Sequence, residues 1–128
     1  MTVRFVTRSV HAGIDYPVAV SLLAMPFVLG VGADYPLARW LSVATGVAAY
    51  ALTLLTDHEV GVVKVVPYWF HVAVDRLVGV TFAAAPFVFG FTGLDAGYYW
   101  ANAAAVLTAT VLLAAPARQD AAPAAVGV

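Results

Sequence analysis

Four long apolar segments constrain this chain more than any other feature. Separated by short polar breaks, they cover residues 14–32, 37–56, 70–91 and 98–115. A helix of twenty residues is about 30 Å long, which is the thickness of the hydrocarbon core of a bilayer. Strands are disfavoured because the segments are rich in Ala and Leu and lack polar–apolar alternation. The sequence therefore predicts an all-α, polytopic membrane protein with four transmembrane helices.

The composition agrees with a membrane location. Of the 128 residues, 63% are hydrophobic and only 10% are charged. A soluble domain of this length has too small an interior to bury so much apolar surface. The net charge of −1 provides no basic field for nucleic acid, and the absence of cysteine excludes disulfides, thiolate metal sites and cysteine nucleophiles. We expect the lipid bilayer, and not nucleic acid, to be the partner.

The breaks and the basic residues predict a topology. Gly, Asp and Pro make residues 32–36 and 92–97 turns, whereas 56–64 is a longer charged connection. Because basic residues favour the inner side of a membrane, we expect the plasma (inner) membrane with both termini in the cytoplasm. Only Arg39 lies on the outer side; the basic residues of the inner side are Arg4, Arg8, Lys64 and Arg118. The Ala/Pro-rich tail, 116–128, is predicted to be disordered and cytoplasmic.

Aromatic residues are expected to form a belt at the outer membrane interface, where their amphipathic rings are favoured. The belt comprises Tyr35, Trp40, Tyr98, Tyr99 and Trp100.

The chain contains an internal repeat. A shift of 60 positions aligns His11 with His71 and Asp15 with Asp75. The other matched pairs are Pro26/Pro86, Phe27/Phe87, Gly30/Gly90 and Trp40/Trp100. Each repeat, about 4–56 and about 64–115, holds an even number of helices, so both enter the membrane from one side and are parallel. The copy inside the chain also argues against a cleaved signal peptide at the first segment.

Two stretches carry a resemblance to a known family. The segments "VRFVTRSVHAGIDYPVAVSLLAMPFVLG" and "TDHEVGVVKVVPYWFHVAVDRLVGVTFAAAPFVFG" resemble the SPW repeat family of small bacterial integral membrane proteins. The resemblance, which extends to about Ala115, implies two-helix units with a Ser-Pro-Trp motif and no established activity. Of the motif only the prolines, Pro26 and Pro86, are retained. The serine and tryptophan positions carry Met25, Phe27, Ala85 and Phe87.

The ionisable residues of the repeat form two pairs. His11/Asp15 and His71/Asp75 have i, i+4 spacing, so each histidine lies on the same helix face as its aspartate. The predicted symmetry brings both pairs to the bundle axis near the cytoplasmic face. We expect a structural polar clamp without a cofactor, in which each aspartate lies in a first helical turn and accepts a hydrogen bond from a histidine or from Arg76.

Three other interpretations use the same residues. Two imidazoles and two carboxylates are ligands for a divalent metal ion of undetermined identity. Alternatively, His11 and His71 ligate a haem, with the aspartates on the other ring nitrogens. The third interpretation is proton or ion movement through the aspartates, although no series of polar side chains continues from them toward the outer face. His58, between two acids, is expected to lie at a solvated helix end.

Prolines and small residues predict local features of the helices. Pro26 and Pro86 each remove a helical hydrogen bond, which predicts a kink, and Gly30 and Gly90 predict a frayed helix end. The carbonyl groups freed by the prolines are those of Leu22 and Phe82, which neighbouring groups must satisfy. Ser42 and Gly46, four positions apart, predict close helix packing, as do Ala101 and Ala105.

No segment matches a phosphate-binding loop, a metalloprotease helix or a nucleophile elbow. We therefore do not expect an enzyme. The sequence predicts a structural or accessory membrane protein, a homo-oligomer or a subunit of a membrane complex. The alternative is a cofactor protein that uses His11 and His71.

Overall fold

The computed structural model describes residues 7–56 and 61–112. Its four α-helices are α1 (Arg8–Leu29), α2 (Pro36–Leu55), α3 (Tyr68–Phe89) and α4 (Gly93–Leu107), and a π-helical turn, Thr108–Leu112, follows α4. The described residues form no strand, only an isolated bridge between Thr56 and Val66. The predicted all-α class is therefore confirmed, whereas the predicted disordered tail and His58 lie outside the described residues.

Three of these helices are long and apolar enough to cross a membrane. They are the segment Ser9–Leu29 of α1 and the whole of α2 and α3. Their outward faces carry large apolar side chains, such as Val28, which is 72% exposed, and Phe87, which is 79% exposed. Such faces are stable in lipid and would be unfavourable in water. Length, composition and surface therefore indicate a membrane protein.

Helix α1 begins earlier than the apolar segment suggested. The hydroxyl of Thr7 accepts a hydrogen bond from the backbone N–H of Val10 and caps the helix. Asp15 therefore lies at the eighth residue of α1, and Asp75 has the same position in α3. The prediction that these aspartates lie in a first helical turn is wrong, because the helices extend further toward their N-termini. The aspartates must be stabilised by side chains and not by the helix dipole.

The predicted turn at 92–97 is also wrong. Helix α4 begins at Gly93, so the connection from α3 contains only residues 90–92. Asp95 lies in the first turn of α4, where the helix dipole favours a carboxylate. Its Oδ1 accepts a hydrogen bond of 2.9 Å from the backbone N–H of Gly32, and this contact links the connection between α1 and α2 to the start of α4.

Glycines cap two of the helices. Gly30 ends α1 at φ +78° and Gly90 ends α3 at φ +72°, a left-handed conformation that glycine adopts without a steric penalty. These are ordered caps and not the frayed ends that the sequence predicted. The caps turn the chain sharply into the next helix.

Pro26 lies inside α1, and a neighbouring side chain compensates for the helical hydrogen bond that it removes. The hydroxyl of Ser42 donates a hydrogen bond of 2.9 Å to the carbonyl of Leu22, the group that Pro26 deprives of its helical donor. Because this uses the only proton of Ser42, its oxygen accepts a second bond of 2.7 Å from the hydroxyl of Tyr98. A side chain of α2 thus satisfies the freed carbonyl, and α4 completes the chain of hydrogen bonds.

Consecutive helices pack as antiparallel hairpins. In the first, α1 and α2 approach so closely that a Cβ at Gly46 would lie 2.9 Å from Leu23 Cγ and 3.1 Å from the carbonyl oxygen of Ala19. In the second, a Cβ at Gly79 would lie 2.7 Å from a methyl of Leu107. Glycine therefore permits the close packing of each pair.

Several contacts occur twice, at positions 60 apart. The rings of Phe27 and Trp40 lie 5.9 Å apart, and those of Phe87 and Trp100 lie 5.6 Å apart. Between the hairpins, the contact of Gly32 with Asp95 has a counterpart in the 3.4 Å hydrogen bond between the hydroxyls of Thr92 and Tyr35. Equivalent positions of the two hairpins thus have equivalent neighbours.

Candidate functional site

Four ionisable side chains meet between the N-terminal parts of α1 and α3. The members of this histidine–aspartate cluster are His11, Asp15, His71 and Asp75, and one donor atom from each lies within 4.8 Å of the others. His11, Asp15 and His71 are buried, whereas the side chain of Asp75 is 21% exposed. The structure therefore brings together the two pairs that the repeat singled out.

Each histidine of the cluster contacts both aspartates. The Nε2 atom of His11 lies 3.0 Å from Asp15 Oδ1 and 2.7 Å from Asp75 Oδ2. The Nε2 atom of His71 lies 3.3 Å from Asp15 Oδ2 and 3.3 Å from Asp75 Oδ2. The two rings are nearly perpendicular, with their centroids 5.5 Å apart. Each carboxylate therefore bridges the two hairpins.

A hydrogen bond with Thr56, at the end of α2, fixes the orientation of His71. The hydroxyl of Thr56 donates to the carbonyl of Leu52 at 2.5 Å, and it lies 2.6 Å from His71 Nδ1. Because a hydroxyl has one proton and a carbonyl only accepts, Thr56 accepts the hydrogen of Nδ1. The other ring nitrogen, Nε2, must then face two carboxylates either with a proton of its own or with a cation between them.

The chain between α2 and α3 explains why Thr56 reaches His71. The backbone N–H groups of Val65 and Val66 donate to the carbonyl of Leu55, so the connection folds back onto the end of α2. This satisfies a carbonyl that the helix end leaves without a partner. The first turn of α3 consequently lies beside Thr56. Thr56 has no equivalent in the repeat, and the sequence contained no signal that would have identified it.

Arg76 has a different environment from the one the sequence predicted. Its Nε and Nη2 atoms donate to the carbonyl of Thr110 at 3.0 and 2.6 Å. Thr110 lies in the π-helical turn, where the changed backbone register frees carbonyl groups for other donors. These hydrogen bonds of Arg76 tie α3 to the end of α4 and are not directed at the aspartates.

The cluster borders a cavity of about 520 Å³. All four cluster residues contribute to its wall, and most of the remaining wall is apolar, including Val18, Ala49 and Val106. These three residues and Asp75 also line a second cavity of about 300 Å³. A water molecule occupies about 30 Å³ in the liquid, so either cavity has room for water or a small ligand beside the carboxylate.

The residues of the family motif lie away from the cluster. Pro26 and Pro86 are buried in α1 and α3, whereas the adjacent Phe27 and Phe87 are exposed. The exposed rings of Trp40 and Trp100, predicted for the interface belt, pack on these two phenylalanines. The phenylalanines at the tryptophan position of the motif therefore each take part in an outward-facing aromatic pair, one on each hairpin.

The opposite end of the bundle holds a second set of polar contacts that the sequence did not predict. Tyr98 and Tyr99, expected in the aromatic belt, are buried between the hairpins, and Tyr99 donates to the carbonyl of Ala38 at 2.6 Å. Asp95 is also buried, and its Oδ2 has no hydrogen-bond partner among the described residues. The hairpins are thus joined by polar groups at both ends, with the cavities between them.

Comparison with known proteins identifies a family. The sequence model of the SPW repeat domain matches residues 9–119, a range that includes both hairpins and the whole histidine–aspartate cluster. No curated protein and no solved structure matches the chain.

Proposed function

This chain belongs to the SPW repeat family, and from that premise we propose that it is a small integral membrane protein of structural or accessory type, without catalytic activity. It crosses the plasma (inner) membrane four times, as two parallel two-helix repeats, and both termini are cytoplasmic. The observation that carries the proposal is the position of the polar groups: they join the two hairpins on the inside, while the outward faces of the long helices are apolar.

Two observations support four spans in parallel repeats. Helix α4 and the π-helical turn together cover residues 93–112, about 30 Å of helix, which is enough to cross the hydrocarbon core. The contacts of His11 with Asp75 and of His71 with Asp15 exchange under the 60-residue shift. Such reciprocal contacts are typical of two units related by a twofold axis.

The cluster supports a structural role. In a membrane, a polar side chain without a partner is unfavourable, so groups of this kind hold helices together. Here both carboxylates are shared between imidazoles of different hairpins. Separating the hairpins would expose four ionisable groups, and we infer that the cluster selects one relative position of the hairpins.

The hydroxyl of Thr56, which contacts His71, supports a role without catalysis. Thr56 gives its proton to the carbonyl of Leu52, and its oxygen accepts from His71. A hydroxyl in this state is a hydrogen-bond bridge, because His71 Nδ1 already carries a hydrogen and does not act as its base.

We propose that the outward aromatic faces contact lipid and a protein neighbour, either a second copy or another subunit of a membrane complex. A photoreactive benzoylphenylalanine at Phe87, in native membranes, is expected to give a discrete protein adduct. The matched control is the same residue at Phe82, which is buried and 2% exposed. Adducts to lipid alone at position 87 would contradict the part of the proposal that concerns a subunit or oligomer.

A cofactor-binding role is the second candidate, because one donor atom from each cluster residue lies within 4.8 Å of the others. A haem between His11 and His71 requires both Nε2 atoms to face opposite sides of a flat ring. In this structure both Nε2 atoms face the same oxygen of Asp75, a geometry that favours a small ion. The visible spectrum of the purified protein tests the haem version: a Soret band that is lost in His71→Ala would establish it.

A further inference from the structure

We propose that the histidine–aspartate cluster binds one divalent transition-metal ion of the zinc class. The ligands are the Nε2 atoms of His11 and His71 and one carboxylate oxygen each from Asp15 and Asp75. This inference rests on the proposed function, because the ligands come from two hairpins that must form one bundle. The proposal adds a bound metal ion to the cluster that joins the two hairpins.

The distances between donor atoms suit a tetrahedral ion. Zinc binds nitrogen and oxygen at about 2.0–2.2 Å, so the ligands of a regular tetrahedron lie about 3.4 Å from one another. Oδ2 of Asp75 lies 2.7 and 3.3 Å from the Nε2 atoms of His11 and His71, whereas Asp15 turns Oδ1 to His11 at 3.0 Å and Oδ2 to His71 at 3.3 Å. These separations are slightly shorter than the ideal value, so a small outward movement of the side chains, with one oxygen of Asp15 turned toward the centre, would accommodate the ion.

The donor types restrict which ions would bind. Two imidazoles and two carboxylates are typical ligands for zinc, cobalt, iron and manganese. Magnesium and calcium prefer six or more oxygen ligands, which this cluster does not supply. Two carboxylates also balance the double charge of the ion when both imidazoles are neutral. The occupied site would therefore have no net charge, and this matters because an unbalanced charge inside a membrane bundle is costly.

The hydrogen bond between Thr56 and His71 is of the kind that metal-binding histidines make. Histidines that bind metals usually donate their other ring N–H to an oxygen acceptor, which fixes the tautomer and aims the free lone pair. Thr56 accepts from Nδ1 of His71 in this way, so Nε2 is the atom directed at the two carboxylates. A metal ion at this point would take the place of the proton that otherwise lies between Nε2 and the carboxylates.

The number of ligands and the cavity describe the kind of site. Four protein ligands correspond to a structural ion, since catalytic zinc sites use three and leave the fourth position for water. This agrees with the accessory role proposed above. The cavity of about 520 Å³ leaves space beside ligands that are otherwise buried.

The test uses the full chain, purified in detergent, stripped with a chelator and reloaded with Zn²⁺ or Co²⁺. Elemental analysis is expected to find one ion per chain, and Co²⁺ is expected to show the visible absorption of a four-coordinate site. Asp75→Asn and His71→Gln are expected to lose stoichiometric uptake. Thr56→Val, which removes only the acceptor for Nδ1, is expected to weaken binding about 10- to 100-fold. The matched controls are His58→Ala and Asp34→Asn, which should bind like the wild type.

The outcomes separate the ion from the fold. Absence of one ion per reloaded chain, or unchanged affinity in the Asp75→Asn/His71→Gln double variant, would overturn the metal site. Because the chain has no native cysteine, spin labels at the exposed positions Val47 and Leu77 report the distance between the hairpins. Suppose that the protein takes up no ion but that the distance between the labels is well defined. The side-chain link between the hairpins then remains, and only the metal ion is excluded. If no fixed distance exists with or without metal, the proposed function itself fails.

Discussion

The Nε2 atom of His11 lies 2.7 Å from Oδ2 of Asp75, a residue 64 positions away on the other hairpin. In the linear sequence, Asp15 is the nearer partner of His11, one helical turn away at 3.0 Å. The shorter contact is therefore the one that crosses between the hairpins. The cluster is a link between tertiary elements and not two separate pairs on single helices.

The charge of Asp75 should therefore contribute strongly to stability, even without metal. Asp75→Asn, measured in the presence of a chelator, leaves the two histidines with only one of their two shared carboxylates, that of Asp15. Breaking such a buried pair destabilises a protein by about 3–5 kcal/mol, and we expect the lower end because Asp75 is partly exposed. Denaturant unfolding in detergent measures the effect. Asp34→Asn, at an exposed turn, should change the free energy of unfolding by less than about 0.5 kcal/mol; equal effects of the two substitutions would refute the clamp.

Ser42 should contribute to stability because it donates a hydrogen bond to the carbonyl that Pro26 leaves without a helical donor. Ser42→Ala removes the donor to the Leu22 carbonyl and the acceptor for Tyr98, and an unsatisfied buried group costs about 1–3 kcal/mol. Pro26→Ala restores a backbone N–H for that carbonyl, so Ser42→Ala should cost less in the Pro26→Ala background. A double-mutant cycle of unfolding free energies measures the coupling. Additive effects would show that Ser42 does not compensate for the proline.

Three glycines should respond differently to alanine. At Gly46 a new Cβ would meet the Ala19 carbonyl, which cannot move without the backbone of α1, whereas at Gly79 it would meet the flexible end of Leu107. At Gly13 nothing lies within 4 Å. We expect Gly46→Ala to destabilise most, by about 1–3 kcal/mol, Gly79→Ala less, and Gly13→Ala not at all. Thermal unfolding in detergent ranks the three, and a different order would contradict the packing of the hairpins.

The predicted topology can be tested with single cysteines, since the chain has none. Leu94→Cys, at the start of α4, should react with an impermeant maleimide in intact cells, as should Asp34→Cys. Val62→Cys, in the connection between the hairpins and 73% exposed, should react only after permeabilisation. Labelling of all three positions from outside, or the reverse pattern, would contradict cytoplasmic termini.

Much of the candidate site could be predicted because the repeat marks it. Matched histidines and aspartates at one depth of two parallel units must lie near each other if the units pack about an axis, and no loop conformation enters that argument. The partners of the cluster are different. Thr56 reaches His71 only because the connecting segment folds back onto Leu55, and Arg76 reaches Thr110 only because the end of α4 adopts a π-helical turn. Neither backbone path has a signature in the sequence.

The sequence by itself determined the helical class, the apolar segments and the repeated residues, because these depend on composition and on periodicity within about twenty residues. Only the tertiary structure decided where α4 begins, which oxygen each histidine faces, and that Tyr98 and Tyr99 are buried between the hairpins. The start of α4 has no side-chain cap, and its Asp95 accepts a hydrogen bond from Gly32 of the other hairpin. Such polar contacts depend on tenths of an ångström between segments distant in sequence. Hydrophobicity does not select the inward face here, because lipid is as apolar as the bundle interior, so only the packed hairpins determine which polar groups meet inside.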